Sequence, residues 1–382
     1  MFEFLKFIPN ELEEFVGALP EHSVGKNLSL YTTNNVPELK EGMLVLFSVA
    51  ENRNNVSVPS VFPNFDEVRK QFYSLAIGNW NFELADIGEI TAGDSVADTY
   101  FAVTQLVKTL RKLKCLPIII GGGQDVVFSQ YKAYDPNDGM INIVNIDARF
   151  DLGNVDLPIS NESFIGKIVV GQPYNLFNYT NVGYQSYYVA QEELDLLDKM
   201  YFDSYRLGEV INNVGVVEPV FRDADLVTLD LNAIGASFYG NQPNGFSSRE
   251  ICALARYAGI SDKVSLFSVC EYDSEKSSVI GNALVAQILW YFAEGVSCRW
   301  NESGDIEDMD VIRYQVPIEE EVFSFYKSRL TGRWWMNVRY SNTMNNNLQI
   351  DALLPCTYQD YEQACNQIAP EKWFNAKMKY EM

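Results

Sequence analysis

Residues Ile143 to Gly153 read IVNIDARFDLG. An apolar run suited to a buried strand passes there into a charged loop in which Asp147, Arg149 and Asp151 alternate. Alternation at period two places the three side chains on one side of the chain. In an open parallel sheet that carboxyl end of a strand is where ligands bind. Two further stretches are built the same way, a strand running into a loop: Ile118 to Asp125 (IIIGGGQD) and Leu226 to Asn232 (LVTLDLN).

Outward from these three stretches the chain alternates strand and helix. A short helix is expected over 10–18, with Asn10 as N-cap and Glu13 at the third helical position. Strands are expected at Leu44 to Val49, Leu116 to Ile120, Ile141 to Ile146, Asp225 to Leu229 and Val264 to Cys270. Between them fall helices at Asp94 to Leu113, from about Val126, at Gln191 to Tyr201, from a cap at Ser248 to a stop at Gly259, and at Ser278 to Glu294. This order argues for a parallel sheet flanked by helices. After Asp310 the alternation is lost. The chain therefore divides into an N-terminal segment 1–40, an α/β domain 41–310 and an aromatic-rich appendage 311–382, packed on the core or on a neighbouring subunit. Trp334, Trp335 and Trp373, half of the six tryptophans, lie in that appendage, and Trp and Arg favour interfaces.

With 382 residues the chain can bury a substantial core. Its net charge of -22 repels phosphate backbones and anionic bilayers, so neither nucleic acid nor membrane is expected as a partner. The N-terminus lacks the long apolar core of a signal peptide, and no run approaches the roughly eighteen apolar residues of a membrane-spanning helix. The six cysteines show no Cys-x-x-Cys pair and read as reduced thiols. A cytoplasmic protein is expected.

The single histidine, His22, lies in a polar segment and reads as a surface residue. Gly121 to Gly123 lack the lysine and hydroxyl residue that complete a phosphate loop. Asp125 could extend an acidic site, although capping the following helix is the commoner role. Cys270 has no adjacent base and reads as a buried thiol.

The three strand ends resemble the ureohydrolases, the family of arginase, agmatinase and formimidoylglutamase. Asp86-Ile-Gly-Glu89 and Pro243-Asn-Gly-Phe-Ser-Ser-Arg-Glu250 are similar to two further family segments. The resemblance covers about Gly42 to Glu294 and implies an arginase-like three-layer α/β/α fold with a mostly parallel central sheet. It also implies hydrolysis of guanidino or formimino C-N bonds by two bridged manganese ions. The family's ligand pattern is met only in part: Asp147, Asp151 and Asp230 stand, whereas Gln124 and Arg149 replace two histidines and Asn232 replaces an aspartate. Glu271 falls where family members hold a carboxylate against the substrate's guanidinium.

Three aspartates facing one arginine leave an excess of negative charge, and Arg149 is expected to sit among them as a substitute for a metal. No cofactor, and in particular no manganese pair, is expected; the alternative is one divalent cation, magnesium or calcium, at Asp147, Asp151 and Asp230. Two functions follow. One is a catalytically inactive homologue with a binding, regulatory or structural role; the other is a C-N hydrolase with a remodelled or single-metal site. The resemblance further implies a homo-oligomer, with a protein partner possible.

Overall fold

The computed structural model describes residues 2–56, 62–134, 139–239, 242–302, 306, 309–342 and 348–381. Nine strands are β1 (Leu28–Leu30), β2 (Leu44–Ala50), β3 (Leu84–Thr91), β4 (Leu116–Gly121), β5 (Ile141–Ile146), β6 (Leu176–Tyr184), β7 (Asp203–Arg206), β8 (Leu226–Asp230) and β9 (Leu266–Cys270). They form one sheet in the order β1-β3-β2-β4-β9-β8-β5-β6-β7, and every neighbouring pair is parallel. The helices are α1 (Asn10–Ala18), α2 (Asp66–Ser74), α3 (Val96–Lys112), α4 (Val127–Tyr131), α5 (Phe164–Val170), α6 (Gln191–Lys199), α7 (Leu207–Asn212), α8 (Glu218–Arg222), α9 (Ser248–Ile260) and α10 (Val279–Ser297).

Strand alternation explains the layers. Along β2, Leu44, Leu46 and Ala50 enter one apolar core, with residues of α2, α9 and α10. Val45, Phe47 and Val49 enter a second core on the other face, with residues of α3, α4 and α5. Burial on both faces is why these strands read as nearly continuous apolar runs. The expected three-layer α/β/α arrangement is the one observed.

Local details differ from the sequence reading. Asn10 is already helical, with Pro9 at the N-cap and no side chain capping. Ser247, not Ser248, caps α9, because only Ser247 has a carboxylate three residues on; Glu250 Oε2 accepts its backbone N–H at 2.7 Å. Gly259 does not end α9, which runs to Ile260. It instead admits α10, since a Cβ there would lie 2.2 Å from the Phe292 carbonyl oxygen and 3.0 Å from Gly295 Cα. The helix α10 is itself long and apolar enough to cross a bilayer by length and composition, contrary to the sequence reading. It packs on α9 and α2, and 61% of its most apolar stretch is buried within the protein, so core packing accounts for its character.

The Asp86-Ile-Gly-Glu89 segment serves the frame. Asp86, fully buried, accepts from Arg69 Nε at 2.9 Å, Tyr73 Oη at 2.7 Å and the Gly88 N–H at 2.9 Å, which fastens α2 to β3. Gly88 has φ +88°, and a Cβ there would lie 2.1 Å from the Lys6 carbonyl oxygen.

Past Asp310 the chain forms a four-stranded antiparallel sheet, β10 (Val311–Ile318), β11 (Glu321–Ser328), β12 (Trp334–Asn342) and β13 (Leu348–Cys356), followed by α11 (Tyr358–Cys365) and α12 (Glu371–Glu381). It has its own apolar core. Trp334, Trp335 and Trp373 are buried within this chain. Arg222 of α8 reaches across to it, donating to the carbonyl oxygens of Trp334 (3.0 Å) and Cys356 (2.9 Å), with its guanidinium 4.7 Å above the Trp335 ring.

Overfilling the α9–α10 contact tests this packing. Gly259→Val is expected to cost about 1 to 3 kcal/mol, the usual penalty of overpacking, read as a lower midpoint in chemical denaturation. A wild-type midpoint would contradict the close approach of the two helices.

Candidate functional site

Four neighbouring strands and one loop converge beyond the carboxyl edge of the sheet. The Gly loop after β4 supplies Gln124, β5 leads into Asp147 and Asp151, β8 ends on Asp230, and β9 is followed by Glu271; Asn52 and Asn55 come from the loop after β2. Together they line a cavity of about 390 Å³ whose walls include Tyr188, Tyr239 and Tyr272. All six positions singled out by the resemblance, Gln124, Asp147, Arg149, Asp151, Asp230 and Asn232, border this cavity, as does Glu271. Asp125 does not.

The floor is tied by carboxamides. Gln124 Nε2 donates to Asn145 Oδ1 at 2.8 Å, and Asn145 Nδ2 points to Asp147 Oδ2 at 3.3 Å and Asp151 Oδ2 at 3.5 Å. Glu271 is held from three sides, by the Gln124 N–H (2.8 Å), Asn55 Nδ2 (2.6 Å) and Asn232 Nδ2 (3.4 Å). Asp230 accepts the Asn232 N–H at 2.6 Å. Asp151 and Glu271 take left-handed backbone conformations, φ +52° and +63°, of the kind that concentrates at functional sites.

Arg149 departs from expectation. Its guanidinium lies 4.5 Å above the Tyr188 ring, and it makes no ion pair within 4 Å with any carboxylate among the described residues. Only its backbone meets the acidic group, through an N–H to Asp147 Oδ1 at 2.9 Å. The reason is local: β5 ends at Ile146, so the strict alternation assumed for residues 147–151 does not continue into the loop. Asp147 and Asp151 still come together, both within reach of Asn145 Nδ2, while the arginine side chain turns to the wall. Asp125 also differs. It caps neither following helical segment and instead accepts from Tyr100 Oη.

His22 is exposed and Cys270 fully buried, its thiol pushed up to about 12 by burial. All six cysteines are unpaired; four are buried, Cys298 is half-buried and Cys365 exposed. Asn145 and Asn55 went unnoticed in the sequence. Asn145 does carry a signal, as a carboxamide inside an apolar strand two residues before Asp147; Asn55 lies in a polar loop where nothing distinguishes it.

Burial dominates the electrostatics. It raises Asp147, and it raises Asp151 and Asp230 well above the usual carboxylate range, with neighbouring carboxylates adding to the shift. Burial pushes Glu271 up to about 7 despite its amide donors, and Asp125 to about 6 despite Tyr100. Among the described residues no three His, Cys, Asp or Glu side chains are disposed to hold a metal ion.

These shifts have a definite sign. The folded protein keeps protons on carboxyls that the unfolded chain releases near pH 4, so their contribution is full below that pH and is lost as pH rises through the folded values. Raising Glu271 from 4.5 to about 7 corresponds to a loss on the order of 3 kcal/mol, at about 1.4 kcal/mol per unit. Thermal midpoints are expected to fall between pH 5 and pH 8, and Asp151→Asn to flatten that fall; a wild-type midpoint that rises with pH would refute the assignment. Arg149→Met should cost less than about 1 kcal/mol, since it removes one half-exposed cation–π contact, as measured by denaturation at neutral pH.

The chain matches the model of the arginase family over residues 65–293. Two curated relatives are both formimidoylglutamases. That of Lysinibacillus sphaericus is 25% identical over 152 residues, 38% of this chain and 46% of the relative. That of Staphylococcus carnosus is 32% identical over 104 residues, 26% of this chain and 33% of the relative. The matched stretch thus spans less than half the length of either. Among solved structures, formimidoylglutamase from Bacillus subtilis superposes with TM-score 0.60 at 14% identity, covering 69% of this chain and 90% of that one. Trypanosoma cruzi formiminoglutamase with Mn2+ gives TM-score 0.61 at 14% identity, covering 73% and 99%. The structural likeness establishes the shared fold, and the family model, matched across more than half of the sequence, establishes descent: this chain belongs to the arginase family.

Proposed function

We propose that this protein binds a small ligand in its acidic cavity and has given up manganese-dependent C-N bond hydrolysis. The arrangement at Gln124 carries the reading. The donor set does not fit a pair of manganese ions: a carboxamide tied to Asn145 stands in place of one histidine, a cation turned onto Tyr188 replaces another, and a neutral Asn232, whose Nδ2 donates to Glu271, stands in place of an aspartate. A guanidinium cannot ligate a metal, because it offers donors only. Without a metal-polarised water, the family's route to a nucleophile near neutral pH is missing, and His22, outside the cavity, offers no replacement base. The six unpaired thiols support a reducing, cytoplasmic setting.

Purified protein supplied with manganese and arginine, agmatine or formiminoglutamate is expected to release no urea or formamide above background. Turnover by the unmodified protein would overturn the proposal. The combined change Gln124→His, Arg149→His and Asn232→Asp is expected to raise manganese retention measured by elemental analysis. One tightly held magnesium or calcium per unmodified chain, purified without added metal, would favour the single-cation hydrolase instead.

A further inference from the structure

The structure assigns this protein a second binding site, for a zwitterion with an apolar tail: an α-amino acid with an aliphatic or aromatic side chain. The site lies at the ends of β2 and β3, in a cavity of about 380 Å³ that shares no lining residue with the acidic one. That volume falls in the size range of small-molecule sites, roughly 300 to 1,000 Å³.

The polar floor is a cation and an acid held side by side. Arg69, 2% exposed, spends Nε and Nη2 on Asp86, Ser48 and the Gly88 carbonyl oxygen. Its Nη1 makes no hydrogen bond with a described residue and is not sealed from solvent. Ser48 Oγ, which accepts from Arg69 at 3.2 Å, donates to Glu89 Oε2 at 3.4 Å, so the two charged groups flank one hydroxyl. Glu89 Oε1 accepts nothing from a described residue, and no described cation lies within 4 Å of the carboxylate. Burial raises Glu89 against the pull of Arg69 and Lys6, and the charge of Asp66, which also borders the cavity, adds to the rise.

A free donor on a cation, beside an underused acceptor on an acid, matches a ligand that carries both signs. A carboxylate alone would meet Arg69 but face Glu89 and Asp66, and an ammonium alone would leave Nη1 unused. Both groups on one carbon serve both ends of the floor.

The walls select the tail. A strap from the N-terminus is pinned to β3 by the Lys6 N–H to the Glu89 carbonyl oxygen at 2.8 Å and by the return bond at 3.1 Å. It contributes Phe7, Ile8 and Pro9, and the loop before α2 contributes Phe62 and Pro63. These five residues offer a polar tail no hydrogen-bonding side chain. Phe7 and Phe62 are 43% and 50% exposed, rings that a bound apolar side chain would cover.

The test is thermal denaturation of the full chain with L-leucine and with its two halves: 4-methylpentanoate, which lacks the ammonium, and 3-methylbutylamine, which lacks the carboxylate. Saturating leucine is expected to raise the midpoint by about 3 °C, the scale set by linkage for a protein of this size, and neither half to do so at the same concentration. Glu89→Gln removes the charge and keeps the shape, and is expected to abolish the shift. Phe62→Ala removes a half-exposed ring and is expected to weaken it, whereas Asp230→Asn, in the acidic cavity, should leave it intact. A shift given equally by either half, or one that survives Glu89→Gln, overturns the inference. So does a shift lost in Asp230→Asn, which would put the amino acid in the acidic cavity, and so does no response to leucine or L-phenylalanine. If Glu89→Gln does not fold, an undiminished shift in Phe62→Ala overturns it alone.

Discussion

Four carboxyl groups, those of Asp147, Asp151, Asp230 and Glu271, are buried at the ends of adjacent parallel strands with no cationic side chain of the described residues in ion-pair reach. Everything about the site answers to that constraint. Charge of one sign, taken out of water, must be protonated, hydrogen-bonded or matched by an incoming cation. The protein uses the first two: burial raises all four carboxyls, Asn145 Nδ2 reaches both Asp147 and Asp151, and Glu271 gathers one backbone and two side-chain donors. The carboxamides of Gln124, Asn145, Asn55 and Asn232 supply the dipoles that surround them.

The backbone geometry needed to assemble this group is set by the sheet. Strands β4, β9, β8 and β5 are neighbours in space although far apart in sequence, so the residues just past their ends arrive side by side. Two buried fastenings keep the layers in place around them: the Arg69–Asp86 pair between α2 and β3, and the close contact of Gly259 with Gly295 between α9 and α10. A carboxylate paired to a cation is stable where it is buried; an unpaired set at the end of the same sheet is tolerated because the frame is over-determined elsewhere.

Much of this was legible in the sequence. Doubly buried strands announce themselves as apolar runs, and β5 was bounded to the residue. The cavity positions followed from strand ends plus the family resemblance, and all seven strand-end positions from Gln124 to Glu271 line one cavity. What failed was inference across a change of local geometry. Period two holds only while the strand does, so Asp147 to Asp151 could not be oriented from spacing, and Arg149 was placed on the wrong side. Asp125 was lost for a related reason, because its partner Tyr100 lies on a different helix. Past Asp310 the sequence reading stopped at the loss of α/β alternation. The antiparallel hairpins there carry only short period-two signals, Val316 to Ile318 and Phe323 to Phe325, too brief to stand out from the loss of α/β alternation.

The attachment of the C-terminal sheet has a consequence for how that part of the chain can change. Arg222 grips it through the carbonyl oxygens of Trp334 and Cys356, groups that every amino acid carries. Recognition of this kind reads the course of the main chain and is blind to side-chain identity. Outside the Trp335 ring beneath the guanidinium, the strands on either side of the grip can drift in sequence without loosening it, whereas one substitution at Arg222 removes both of its bonds at once and leaves the joint to contacts such as Lys379–Asn178, Phe177–Tyr380 and Arg333–Glu218. For this grip, tolerance to variation is spread over the sheet and sensitivity lies with Arg222.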